Sequence, residues 1–151
     1  MKADVLPICR YRAIFISDVH LGTRRAQAAA LLDFLRETES KRLYLLGDMI
    51  DSWSLRQNWY WDQLHNDVVQ KILRKARKGT KVIFIPGNHD ENFRDFFGHR
   101  FGHVAVVRWR RSAIQIRSSP VILAGICPSS FGKVLRWSAL RTGTRGTGRL
   151  R

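Results

Sequence analysis

Phe15-Ile16-Ser17-Asp18-Val19-His20-Leu21-Gly22 sets an aspartate and a histidine two residues apart, directly behind a run of apolar residues. So short a run of aromatic and β-branched side chains reads as a strand buried on both faces, the kind from which parallel sheets are built. Its polar end offers a carboxylate and an imidazole at one point in space. Two ligands rarely hold a catalytic ion alone, so the rest of the chain has to supply more.

Two further runs have the same character, RLYLLG and KVIFIPG, the first run being RAIFIS. Between the first and second lies AQAAALLDFLRETES, in which Ala28, Leu31, Leu32 and Leu35 recur at helical spacing. That predicts an amphipathic crossover helix. Between the second and third lies WDQLHNDVVQKILRKARKGT, with Leu64, Val68, Ile72 and Ala76 on one stripe, basic residues toward its end, and Gly79 as a stop. The expected fold class is therefore α/β: a βαβαβ unit with a mainly parallel sheet, right-handed crossovers and flanking helices. Ligands of such sheets collect just beyond the carboxyl ends of the strands.

Those three ends read Ser17-Asp18-Val19-His20, Gly47-Asp48-Met49-Ile50-Asp51 and Gly87-Asn88-His89-Asp90-Glu91. Each alone is compatible with ordinary turn chemistry, because Asp, Asn and Gly are common loop residues. Three adjacent ends with ligand-type side chains are not explained that way. A dinuclear site needs a ligand that bridges two cations roughly 3.5–4 Å apart, and a carboxylate with its two oxygens does this naturally.

In order and spacing, Asp18-x-His20, Gly47-Asp48-x-x-Asp51 and Gly87-Asn88-His89-Asp90 resemble the calcineurin-like metallophosphoesterase superfamily over roughly residues 11–107. Asp48 follows Asp18 by 30 residues and Asn88 follows Asp48 by 40. The wording ISDVHLG, YLLGDMIDSW and FIPGNHDE is similar to the branch related to UDP-2,3-diacylglucosamine pyrophosphatases of lipid A synthesis. The resemblance implies the N-terminal half of a metallophosphoesterase sandwich holding two divalent metals. Asp48 would be the bridge, Asp18 and His20 would bind the first metal, and Asn88 the second. Mixed oxygen and imidazole donors suit manganese, iron or zinc better than calcium, and the branch favours Mn²⁺. His89 would protonate or stabilise the leaving oxygen, with Asp90 orienting its imidazole or holding the loop. Asp51 reads as a cap of the next segment or a buttress of the bridge, more than as a catalytic group.

The superfamily also supplies later histidine motifs, and this sequence has no histidine after His103. The expected function is a metal-dependent phosphohydrolase of the diacylglucosamine diphosphatase type, impaired by that missing portion. Its substrate would be a phosphorylated small molecule or glycolipid. The alternatives are a nuclease or general phosphodiesterase, or a non-catalytic basic protein that binds nucleic acid or anionic lipid; nucleic acid is the lesser expectation.

Arg24 and Arg25 follow the first ligand pair, where a guanidinium fork is shaped for a diphosphate, although arginines ahead of a helix are commonly just solvated. Trp53, Trp59, Tyr60 and Trp61 crowd the second strand end. They read either as an apolar wall for an acylated sugar nucleotide, with Trp53 as a substrate contact, or as a staple fastening the loop to its own helix. His65, on the flank of the helical stripe, is not expected to be a ligand, and His99 and His103 have no assigned role.

The 151 residues and 44% apolar content suffice for one domain with a real core. The formal charge is +15, but its distribution is uneven. The last acidic residue is Asp95; residues 96–151 carry 11 basic side chains, whereas residues 1–95 carry 16 basic against 12 acidic. Residues 1–107 are therefore expected to form a partial phosphoesterase domain. Residues 108–151, with PVILAGIC as their one apolar run, are expected to be an irregular basic tail, read out of frame from near Val107. Cys9 and Cys127 lack metal-binding spacing and suggest reduced thiols in a cytoplasmic protein. No apolar run nears the roughly 18–20 residues needed to span a bilayer, and the N-terminal stretch lacks the apolar core of a signal peptide. A peripheral contact with the cytoplasmic face of the inner membrane stays open; the oligomeric state does not follow from the sequence.

Overall fold

The computed structural model of the chain describes residues 8–109, together with the backbone of Val121–Gly125 and Ser138–Ala139. The chain runs β1 (Cys9–Ser17), α1 (Ala28–Glu37), β2 (Thr38–Leu46), α2 (Ser52–Gln57), α3 (Gln63–Arg77) and β3 (Lys81–Ile85). A 3₁₀ helix (Glu91–Phe96), β4 (Arg100–Phe101), β5 (Val104–Val106), β6 (Val121–Gly125) and β7 (Ser138–Ala139) follow. Among the described residues the strands form one sheet in the order β4-β5-β3-β2-β1-β6-β7. The five inner strands are mutually parallel, and the two-residue strands at either edge are antiparallel. The α/β, mainly parallel architecture expected from the three apolar runs is thus the observed one.

The sheet is buried through strand alternation. Ile14, Ile16, Leu43, Leu45, Val82 and Phe84 join Leu31, Leu35, Val68 and Ile72 from α1 and α3 in the main core. Burial of such side chains contributes about 1.5–3 kcal/mol each. The intervening residues Phe15 and Tyr44 belong to a smaller cluster with Ala13, Leu46 and Ile83, and their rings stack at 4.6 Å. Both faces of β1 and β2 are therefore apolar, which is why these strands read as continuous runs.

Two local differences from the sequence reading have simple causes. First, α1 gives way to β2 at Thr38 with no intervening loop, so Thr38-Glu39-Ser40 are strand rather than helix; the buried Thr38 hydroxyl donates to Phe34 O at 2.7 Å and closes the helix end. Second, Leu64 is 40% exposed, while His65 is 2% exposed and joins Val68, Ile72 and Ala76 on the inward face. A series that steps by four residues drifts about 40° per step around a helix of ~3.6 residues per turn, and His65 restores the phase that Leu64 would lose.

Most of the stretch expected to be an irregular tail, and Cys127, lie outside the described residues. The exceptions include β6, which takes in much of the PVILAGIC run and pairs in parallel with β1 from Ala13↔Val121 to Ser17↔Gly125.

Candidate metal centre

Where β1, β2 and β3 end, their loops continue to hold one another. The N–H groups of Val19 and His20 donate to Asp48 O at 3.0 and 2.9 Å, Leu21 N–H donates to Met49 O at 2.9 Å, and Asp51 N–H returns to Leu21 O at 2.7 Å. The loops after β2 and β3 meet backbone to backbone. A Cβ on Gly87 would lie 2.5 Å from Asp48 Oδ1 and 2.9 Å from Gly47 Cα. Only glycine fits there, which gives a physical reason for the residue that precedes Asn88.

Asp18, His20 and Asp48 all sit in the left-handed region, with φ of 55°, 52° and 51°. They are the only non-glycine residues to do so among those described. Asp and His tolerate this region better than most, yet it still costs on the order of 1–2 kcal/mol per residue. Strain of this kind clusters at functional sites. Its result here is convergence: one ligand atom from each of Asp18, His20 and Asp48 falls within 4.8 Å of the others. Asp18 is exposed, and His20 and Asp48 are half-buried. Two carboxylates this close repel unless a cation lies between them. Asn88 is exposed in the loop that also brings His89 N–H to Asp48 Oδ1 at 2.9 Å.

A second group forms behind the first. His20, Asp51 and His89 also offer ligand atoms within 4.8 Å of one another. Asp51 caps α2, with Oδ1 accepting from Ser54 N–H at 2.8 Å. Its Oδ2 faces His20 Nδ1 at 3.2 Å, and its Oδ1 lies 3.2 Å from His89 Nδ1. The His89 separation is that of an ion pair, but the angle is not that of a hydrogen bond, and His89 Nδ1 is left buried with no hydrogen-bond partner. Burial pulls the Asp51 carboxyl upward, but Ser54 N–H and the His89 imidazole outweigh it and hold its pKa below the ordinary carboxylate value. A charged carboxylate behind an imidazole is what orients a histidine toward a metal or a proton acceptor.

Asp90 has a different task from the one first considered for it. Its carboxylate does not face the His89 ring. It is fully buried, and it accepts from Met49 N–H at 2.9 Å and from Gly87 N–H, so it ties the two loops together. Burial, joined by the Asp48 charge, pushes its carboxyl above the usual range, against the N–H groups of Met49 and Gly87. Of the two roles the sequence offered, holding the loop is the one its contacts serve.

The rim divides the aromatic segment. Trp53 lies with its ring 4.4 Å from that of His89 and donates from Nε1 to Glu91 Oε1 at 3.2 Å. Tyr60 and Trp61 instead pack edge-on against His65, 5.6 and 5.3 Å away, so they staple the loop to α3. Trp59 is 75% exposed. The Arg24 guanidinium lies 4.6 Å from the Tyr60 ring centroid, and Arg25 is exposed. Ser52, which the sequence reading passed over, donates from both its N–H and its hydroxyl to His89 O. Nothing in the spacing announces that clamp.

The donors present, two carboxylates, an imidazole and an amide within one open patch, fit a divalent ion of the manganese, iron or zinc type. The orphaned, buried nitrogen of His89 and the mutual repulsion of Asp18 and Asp48 fit it as well.

Known relatives agree with this geometry. UDP-2,3-diacylglucosamine hydrolase of Neisseria meningitidis serogroup B is 35% identical over 82 residues, covering 52% of this chain and 33% of that protein. The enzyme of that name from Azotobacter vinelandii is 32% identical over 116 residues, covering 73% and 45%. The chain thus spans less than half the length of these relatives. The crystal structure of Pseudomonas putida nuclease MPE superposes with a TM-score of 0.42 at 24% identity, covering 74% of this chain and 60% of that one. Residues 11–135 match the family described as calcineurin-like phosphoesterase, and the chain belongs to it.

Proposed function

We propose that the chain carries the strand-end half of a two-metal phosphohydrolase site that cleaves a phosphoester or diphosphate bond. Asp18, His20 and Asp48 would hold one metal, and Asp48 with Asn88 a second; manganese is the leading choice, iron and zinc the others. The observation that carries this reading is the convergence of three left-handed residues from two loops into one cluster within 4.8 Å. When bound, divalent ions supply Lewis acidity that polarises a phosphoryl group and activates water. Asp51 stays charged behind His20 and His89 and fixes both rings, so each keeps its other nitrogen for a ligand. His89 then delivers a proton, or positive charge, to the leaving oxygen. Ser52 and Asp90 keep the His89 backbone in place.

The names of the relatives support UDP-2,3-diacylglucosamine as the substrate. Trp53 beside His89 offers an apolar surface to such a molecule. The Arg24 guanidinium, held over Tyr60, and the exposed Arg25 would meet its diphosphate.

The test is hydrolysis of bis(p-nitrophenyl) phosphate by the purified chain with added Mn²⁺, alongside metal counting. Asp48→Ala should lower the rate by at least ~10²-fold, the scale of losing one key electrostatic group, and abolish stoichiometric metal. Equal rates with and without Asp48 would sink the reading. Faster cleavage of single-stranded DNA than of UDP-2,3-diacylglucosamine would assign a nuclease instead.

A further inference from the structure

The 3₁₀ helix that leaves the metal loop ends in an aromatic knob. Phe84, in the core, meets Phe93 at 5.4 Å; Phe93 meets Phe101 at 6.2 Å, and Phe101 meets Phe96 at 5.5 Å. This relay runs from the buried sheet out to solvent, where Phe96 and Phe101 are each 44% exposed. It is braced by Gly98 N–H and His99 N–H, which donate to Val106 O and Phe96 O at 3.0 Å. Phenylalanines so placed are fixed in an outward position at the sheet edge, where water gains nothing from them.

The charge around them has one sign. Arg100 stands beside Phe101 in β4, and the Arg108 guanidinium lies 5.3 Å from the Phe97 ring centroid. Trp109, next along the chain, is 57% exposed. Asp95 is the last carboxylate in the sequence, so nothing after Phe96 offsets these cations from within its own segment. Rigid apolar rings bordered by arginine match the boundary between anionic headgroups and acyl chains. A nucleic-acid strand fits less well. Bases stack on open ring faces, and here the rings cross at 62° and 82°, each edge closing the face of its neighbour.

We propose that the β4–β5 edge, led by Phe96 and Phe101 and bordered by Arg100 and Arg108, docks onto an anionic lipid bilayer. No described helix is long and apolar enough to cross one, so the contact is interfacial. The 3₁₀ helix spans only ~12 Å at about 2 Å per residue, which sets the docked edge close to His89. The inference does not depend on the hydrolase reading, because its readout needs neither metal nor turnover.

The experiment is co-sedimentation of the full chain with phosphatidylglycerol–phosphatidylcholine vesicles, against phosphatidylcholine alone. Phe96→Ser/Phe101→Ser leaves every charge of the basic C-terminal stretch in place. It should lower partitioning onto the anionic vesicles by about tenfold, the scale of losing two half-buried rings. Arg100→Glu/Arg108→Glu, at exposed positions, should lower it by a similar factor of about ten, and more at low salt. Circular dichroism and the denaturation midpoint establish folding of each variant. If both folded variants bind as the parent does, attachment belongs to the basic stretch and the proposal is overturned. Equal binding to neutral vesicles, or capture of a single-stranded oligonucleotide with no vesicle binding, overturns it as well.

Discussion

The loops after β2 and β3 each end in a buried aspartate, and the two do opposite work. Asp51 is held charged by an N–H and an imidazole, and its oxygens face His20 and His89. Asp90 is sealed from water, its carboxyl is pushed upward, and its oxygens face backbone N–H groups. One carboxylate tunes the rings that do chemistry, while the other fixes the frame on which those rings stand. Similar burial and the same side chain thus give two functions, decided by what faces the oxygens.

The comparison breaks most sharply at Asp90. Asp90→Ala strips the buried N–H groups of Met49 and Gly87 of their acceptor, at about 1–3 kcal/mol for each donor left unpaired. A loss of about 2–4 kcal/mol in chemical denaturation without metal is expected, far more than at Asp51. A stability unchanged by Asp90→Ala would mean that the two loops are held by other contacts. Asp51→Asn sharpens the contrast from the other side. The amide oxygen still caps Ser54 N–H, so stability should move by no more than about 1 kcal/mol. The charge behind His20 is lost, and Mn²⁺ affinity measured by calorimetry should fall about 10–100-fold, the usual effect of removing a partner from a metal-bound histidine. Undiminished affinity would reduce Asp51 to a helix cap.

Much of this was legible in the residues. Three apolar runs alternating with two amphipathic stretches gave the βαβαβ order, because strands buried on both faces and helices buried on one leave different periods in the sequence. Asp18, His20 and Asp48 were legible for a related reason: loops at the carboxyl ends of adjacent parallel strands must converge. The division of labour between Asp51 and Asp90 was not. It depends on which groups the partner loop presents, and His20 and His89 lie 31 and 38 positions from Asp51. The aromatic segment was undecided for the same reason, since it splits between His89 and His65, on either side of α2. The phase of α3 was misread at Leu64 because a buried histidine does not register as core in a pattern built from apolar residues.

That histidine gives the smallest of the expected effects. His65 Nδ1 accepts from Gly22 N–H at 3.3 Å, so the ring is neutral with its proton on Nε2, and it ties α3 to the loop that begins at Asp18. Asp62 Oδ1 lies 3.9 Å from Nε2, and the Tyr60 and Trp61 rings close its sides. Burial lowers its pKa below the ordinary imidazole value, with Asp62 opposing. A histidine depressed in the folded state takes up protons more readily once unfolded. Its contribution to stability is therefore complete above the unfolded value and lost as pH falls through the folded one. The parent chain should lose stability on acidification from neutral toward pH ~5, and His65→Gln should flatten that slope. The substitution should also cost on the order of 1 kcal/mol at neutral pH, the worth of one buried hydrogen bond. Denaturation midpoints at several pH values decide it. Parallel profiles for the two proteins would show that His65 is not the group that titrates, and the acid sensitivity would then belong to carboxylates elsewhere in the fold.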